Sequence, residues 1–239
     1  MPMNSTLLLI IFSMSFVLSH LVLSGPLRPT LSALLGEKGF LAVFSIIAVV
    51  SLTLLIWGYT ELPRLSYFWE PRLFLLWIPA ILMPFASILL TGAILSKKPK
   101  TRDVEPNSFT GANDLDGYTG IYRITRHPVQ WSIIIWAVSH LVSNGDRLSV
   151  VFFSSFFLLS LCGTIFGDKR KAEQDKEKWL TIAKHTSNIP FLAILGKRNK
   201  FLLSELTQII LIGILIFFAI VWFHQYLSGV PVSFLYLDF

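Results

Sequence analysis

Six stretches of this chain are apolar over about the length that crosses a bilayer, and nothing else in it restricts the fold as much. A spanning helix needs about 20 apolar residues. Runs of this kind fall at about 5–25, 39–59, 73–95, 128–144, 148–167 and 202–227. The composition agrees. With 54% hydrophobic and 14% charged residues and a mean hydropathy of +0.66, the chain lies outside the range of soluble domains and inside that of polytopic membrane proteins. The expected fold is an all-α integral membrane protein. It has about six transmembrane helices in one bundle, short interfacial helices on the cytoplasmic side, and a single domain over 1–239.

The basic residues orient this plan. Of 20 Lys and Arg, all but Arg64, Arg72 and Arg147 fall in the loops 26–38, 96–127 and 168–200. Cytoplasmic loops carry the excess of Lys and Arg, so these loops are placed inside and both termini on the non-cytoplasmic side. An odd number of spans breaks the alternation. The net charge of +6 is thereby assigned to loops and not to nucleic-acid binding. No Lys or Arg precedes the first apolar run, so a cleaved signal peptide is not expected. The one cysteine, Cys162, leaves no internal disulfide and no multi-cysteine metal site.

Four connecting segments have their own character. Ser143-Asn144-Gly145-Asp146 is a tight break with favourable turn chemistry, so spans four and five form a hairpin. Leu27 to Lys38 is short and mixed and reads as interfacial. Residues 168–186 are strongly charged but carry Trp179, Leu180 and Ile182. They lie on the cytoplasmic leaflet near lipid phosphates or form a solvated loop helix. Residues 99–116, with Pro99, Pro106 and Gly111, read as a mobile loop.

Ionisable groups at or inside a membrane are costly and mark function by default. Of five histidines, His185 in a basic loop and His224 at the outer end of the last span have ordinary settings. His20 sits within the first span, where an unpartnered imidazole costs several kcal/mol, roughly. Ser24, one turn later on the same face, is a candidate hydrogen-bond partner; a metal is the other form of relief. His140 follows Trp136 and Ser132 at one-turn intervals, a stripe that serves helix packing or a flat aromatic cofactor. Arg126 and His127 sit at the mouth of span four, just before Pro128 at its first turn. With Arg123 on the same face if the helix begins upstream, they form an anion-attracting cytoplasmic patch or a membrane anchor. His127 and His140 are about 20 Å and about 140° apart on one helix, so a two-histidine site pairs His20 with one of them.

The chain resembles the NnrU family of bacterial membrane proteins, which includes relatives of the plant cis-zeta-carotene isomerases. The likeness covers most of the chain. It rests on His20 with Arg28 and GEKGF (36–40), GIYRITRHP (120–128), Trp136 with His140-Leu141, NGD (144–146), GDKRK (167–171) and TSNIPF (186–191). The resemblance implies a bacterial inner (cytoplasmic) membrane protein holding haem b, with His20 and His140 as the axial ligands of the iron. Ser24, Trp136, Arg28, Arg126 and His127 are in supporting positions. It implies an apolar substrate such as a cis polyene, a redox partner, membrane lipids as surroundings, and by the family's name an association with denitrification. The isomerase branch carries a cysteine three residues before the second histidine; here that position is Ala137, so a thiolate alternative ligand is absent. From the inner end of span one at residue 25 to His20, and from Pro128 to His140, the helical rise gives unequal depths, about 8 Å against about 18 Å.

A more distant resemblance is to the isoprenylcysteine carboxyl methyltransferases and their phospholipid-methylating relatives, through Gly120, Tyr122, Arg126, His127 and Pro128. It implies S-adenosylmethionine and a prenyl or phospholipid acceptor. The chain departs from that pattern at Gln130 and at Asp168, which is followed by Lys169, Arg170 and Lys171. A third reading is a non-enzymatic membrane assembly factor. In all three, Arg126 and Asp168 are placed to clamp the ends of spans four and five, because the hairpin returns the chain to one face.

Overall fold

The computed structural model describes residues 2–64, 66–96, 119–229 and 232. The mobile loop expected at 99–116 lies outside those residues. Among them the chain is helical, with no strand beyond an isolated bridge between Tyr67 and Asp146. The helices are α1 (Pro2–Ser24), α2 (Arg28–Glu61), α3 (Leu73–Leu95), α4 (Ile121–Ile124), α5 (Pro128–Asn144), α6 (Arg147–Gln174), α7 (Lys176–His185), α8 (Leu192–Leu195) and α9 (Leu203–Ser228).

Five helices, α1, α2, α3, α6 and α9, are long and apolar enough to cross a bilayer, which makes this a multi-pass membrane protein. The sixth expected span coincides with α5. Its 17 residues rise about 26 Å, short of a hydrocarbon core of about 30 Å. The interfacial segment expected at Leu27–Lys38 is the start of α2. At Gly36, φ 70° and ψ 162° break the helix, so residues 28–35 form a short helical piece set off from 37–61. The segment 168–186 also differs from the expectation of one element. Its first seven residues continue α6, and α7 begins anew after Asp175, whose carboxylate accepts from the Lys178 N–H.

The helices divide between two compact units. The first is Met1–Ile78 with Ala137–Gly163. Its interior holds Leu9, Phe16, Leu55, Phe152 and Phe153 among buried serines. The hydroxyls of Ser13 and Ser155 lie 2.5 Å apart, and Tyr59 Oη is 3.0 Å from Ser149 Oγ. In lipid no hydrophobic drive separates helix from solvent, so close packing and hydrogen bonds of about 0.6 kcal/mol each hold helices together. Asp146 caps α6 by accepting from the Ser149 N–H at 2.9 Å. Gly145, at φ 70°, turns α5 into α6 and brings its carbonyl to the Phe68 N–H at 2.8 Å. The Trp69 indole donates to the Val142 carbonyl at 2.9 Å. These bonds staple the α2–α3 link onto the hairpin turn.

The second unit is Pro79–Trp136 with Thr164–Phe239. Its core joins Leu89, Ile121, Tyr122, Ile124, Ile182, Leu206 and Ile209. Gly213 on α9 meets the α3 backbone, where an added Cβ would lie 2.8 Å from Ile88 Cα; small residues permit such approach. Ser87 Oγ crosses the same contact to the Gly213 carbonyl at 2.7 Å.

Candidate functional site

In the first unit the sequence places His20 on α1 and His140 on α5, both half-buried. His20 Nδ1 lies 2.8 Å from the Phe16 carbonyl. A carbonyl only accepts, so Nδ1 carries a proton and donates it. Ser24, expected as the imidazole's partner, instead donates its hydroxyl to the His20 carbonyl. The serine sits one turn downstream, where its short side chain reaches the i−4 carbonyl more readily than a ring pointing back toward the N-terminus. His140 Nδ1 lies 3.2 Å from Ser139 Oγ.

Aromatic rings wall both histidines. His20 is tilted on Phe16 at 4.6 Å and edge-on to Phe44 at 5.6 Å. His140 lies 5.2 Å from Phe153. A continuous series of ring contacts joins them, from Phe16 to Phe156 (5.2 Å), Phe152 (5.1 Å) and Phe153 (5.2 Å). Ala137, one turn before His140, is fully buried. Arg28 is committed elsewhere: it pairs with Glu37 at 2.6 Å and covers Phe40 at 5.5 Å, straddling the Gly36 break. Trp136 is half-buried on α5, one turn before His140.

In the second unit Arg126, His127 and Asp168 meet. Thr125 is extended (φ −153°, ψ 148°), so α4 ends there and α5 starts afresh at Pro128. Asp168 Oδ1 faces His127 Nε2 at 2.6 Å, and its Oδ2 accepts from Arg126 Nη2 at 2.7 Å. Arg126 Nη1 donates to Thr186 Oγ1 at 3.1 Å, and its guanidinium lies 4.9 Å from the centre of the Trp179 ring. Asn188 Nδ2 reaches Asp168 Oδ2 at 3.4 Å and its Oδ1 accepts from the Trp131 indole at 3.3 Å. The backbone is stitched as well. The Arg126 N–H donates to the Ser187 carbonyl, and the Thr125 hydroxyl to that of Asn188. Gly167 approaches the imidazole so closely that a Cβ would lie 3.3 Å from His127 Cε1.

Arg123 does not join this group, contrary to the shared face expected from sequence. The break at Thr125 separates it. It forms a bidentate pair with Glu205 (2.9 and 3.0 Å), which also accepts from the Gly120 N–H, and its Nη1 donates to Asn199. Thr186, Asn188, Trp131, Trp179 and Lys171 surround Asp168 and Arg126 without having been expected there from sequence; the run TSN at 186–188 carries two of them.

Chemically the two settings differ. The first offers two imidazoles in an aromatic, uncharged interior. The second is a buried ion-pair network; among the described residues no group of three or more His, Cys, Asp and Glu is disposed to hold a metal ion.

Comparison with known proteins bears on both. The chain is 35% identical over 82 residues to a chloroplastic 15-cis-zeta-carotene isomerase of Zea mays, and 37% identical over 81 residues to the one of Arabidopsis thaliana. Each match covers 34% of this chain and 22% of the relative, so the likeness spans about a fifth of those proteins. No solved structure matches. The model of the NnrU protein family matches residues 8–232, nearly the whole chain and both histidine-bearing helices. The chain belongs to the NnrU family.

Proposed function

We propose that this protein is a membrane isomerase of carotenoid-like cis polyenes that uses a haem b ligated by His20 and His140. One observation carries the reading: within a single unit, two imidazoles from different helices each turn Nδ1 toward an oxygen of their own helix. Nε2 is the nitrogen through which histidine commonly ligates haem iron when Nδ1 is held by an oxygen. The His20 and His140 imidazoles are donors that would hold the iron of haem b without a thiolate. The curated relatives' name supplies the substrate class.

When bound, the haem would supply reversible one-electron exchange, which lowers the order of a polyene double bond and its barrier to rotation. The chain's own residues do the rest. The Phe16 carbonyl fixes the His20 tautomer and raises the basicity of Nε2. Ser139 orients His140. Phe16, Phe44 and Phe153 exclude water and present apolar ring faces to a hydrocarbon. A redox partner supplies the electron, and the apolar substrate enters from the lipid. In this reading α5 completes six crossings by local thinning of the bilayer at its ends. The basic loops are cytoplasmic and both termini lie outside, in a bacterial inner membrane.

The test is spectroscopic and catalytic. Purified protein is expected to show a Soret band that shifts on reduction, and to convert 15-cis-zeta-carotene only when reduced. His20→Ala and His140→Ala each abolish or alter the band, while His127→Ala leaves it. Folded protein that binds no haem, or a spectrum unchanged in both ligand variants, overturns the reading.

A further inference from the structure

The link from α7 to α9, residues 186–202, satisfies its backbone from within and turns apolar side chains outward. A helix leaves its last four carbonyls without partners of its own. The chain supplies partners for all of those of α7. The Ile182 carbonyl accepts from the Thr186 N–H. Arg198 Nη1 donates to those of Ala183 and Lys184 at 3.0 and 3.1 Å, and Asn199 Nδ2 to that of His185 at 3.1 Å. The Ser187 hydroxyl donates to the Ile189 carbonyl and accepts from the Ala193 N–H. The Phe191 N–H donates to the Ile124 carbonyl and so ties the link to the residues before α5. Phe191 and Lys197 have φ of 64° and 54°, backbone that persists only where its surroundings fix it.

Over this frame Ile189, Phe191, Leu192, Leu195 and Phe201 are 42% to 77% exposed. The Phe191 and Phe201 rings lie 6.4 Å apart, so the two ends of the link share one apolar surface. A link facing water gains by turning such side chains in and leaving its carbonyls to the solvent. Internal hydrogen bonds under an apolar exterior suit lipid, which offers no hydrogen bonds in return. The surface is continuous with a membrane-crossing helix, since α9 begins at the exposed Leu203, two residues after Phe201. Charge adds the second half of the match. From Lys178 to Ser204 the sequence holds no Asp or Glu. Lys184 precedes the link and Lys197 lies within it, both exposed, and lysines beside an apolar surface bring their charge to the level of lipid phosphates.

We propose that residues 189–201 form a wedge seated at the boundary of headgroups and acyl chains in one leaflet, with Lys184 and Lys197 against the phosphates of anionic phospholipid. The five apolar side chains take the acyl region. Through Ile124 the wedge holds the entry to α5 at that leaflet. This surface is separate from the histidine pair and stands whether or not haem is bound.

Cys162→Ala removes the one cysteine, and Leu195→Cys places an environment-sensitive dye on the wedge. Leu195 is 77% exposed, so the substitution removes little packing. The full chain is reconstituted in vesicles of phosphatidylcholine and phosphatidylglycerol. The dye is expected to emit to the blue of the free dye, to resist quenching by aqueous iodide, and to be quenched by lipid bearing a nitroxide high on its acyl chain. Nitroxide-bearing phosphatidylglycerol is expected to associate at the dye about fivefold more strongly than the phosphatidylcholine analogue, and Lys184→Gln/Lys197→Gln to remove that preference. Iodide access equal to that of the free dye shows a solvated loop and overturns the proposal. Shielding from iodide and nitroxide alike shows a protein cover, from this chain or a second copy, and overturns it too. Equal association of the two lipids, or a preference unchanged in the lysine variant, overturns the anionic partner.

Discussion

His127 Nε2 and Asp168 Oδ1 lie 2.6 Å apart, and through this contact the start of α5 holds the basic end of α6. The two residues are 41 positions apart in sequence. The two-residue link at Gly145-Asp146 between α5 and α6 makes their meeting possible. Asp168 is the hub: its two oxygens serve an imidazole and a guanidinium from the adjacent residues His127 and Arg126 and an amide from Asn188 beyond α7.

Removing the hub is expected to cost more than removing the whole pair. Asp168→Asn leaves Arg126 buried without its counter-ion, and breaking a buried ion pair on one side costs about 3 kcal/mol or more. The double variant Arg126→Met/Asp168→Leu removes both charges together and is expected to recover most of that loss. Unfolding in one detergent, compared across the wild type, Asp168→Asn and the double variant, shows whether the loss is recovered. Equal destabilisation in the single and the double variant would show that the pair does not act as a unit.

The parts of this arrangement that sequence could show are those with a period or a fixed offset. The apolar runs marked the long helices, and Pro128 with Asn144-Gly145-Asp146 marked both ends of α5. A short link between α5 and α6 placed Arg126 and Asp168 at one end of the hairpin. The contributions of Thr186 and Asn188 had no such mark. They act from an irregular segment, where hydrogen bonds by side chains leave no periodic pattern. Arg123 was misjudged for a related reason. Its partner Glu205 is 82 residues away, and only the extended backbone at Thr125 turns it from Arg126. The break at Gly36 was equally hidden, since glycine within an apolar run reads as helix until its φ is known.

Ser139→Ala tests the proposed haem environment without touching a ligand. The Ser139 hydroxyl lies 3.2 Å from His140 Nδ1, and groups that orient a ligating imidazole typically contribute tenfold or more in affinity. The variant is expected to keep a Soret band, bind haem about tenfold more weakly, and show a shifted midpoint potential. Titration of the apoprotein with haem and a spectroelectrochemical scan measure the two effects. If neither changes, Ser139 does not orient His140.

The hairpin turn has no room for a side chain. A Cβ on Gly145 would lie 2.1 Å from the Trp69 carbonyl oxygen, and φ is 70° as well. Gly145→Ala is therefore expected to detach the α2–α3 link, exposing the Trp69 indole that donates to Val142. Trp69→Phe removes only that hydrogen bond and is expected to cost about 1 kcal/mol. Tryptophan fluorescence and limited proteolysis within residues 62–72 separate the outcomes: cleavage rises strongly in Gly145→Ala and little in Trp69→Phe. Similar protection in Gly145→Ala and wild type would show that the turn tolerates a side chain.

Gly36 isolates the cost of backbone geometry from that of packing. Its φ and ψ of 70° and 162° lie in a region reserved for glycine, yet a Cβ there meets nothing within 4 Å. Gly36→Ala is thus expected to destabilise the kinked form by about 1–3 kcal/mol through the backbone alone. The relief available is to straighten α2. On a straight helix Arg28 and Glu37 would sit about 13.5 Å apart along the axis and on opposite faces, so their 2.6 Å contact exists only because of the break. That exposed pair contributes little stability and cannot hold the kink against the strain. Spin labels at Thr30 and Ser45 are expected to move apart in Gly36→Ala, with loss of the Arg28–Glu37 pair. An unchanged distance with unchanged thermal stability would mean that the break is imposed from outside residue 36.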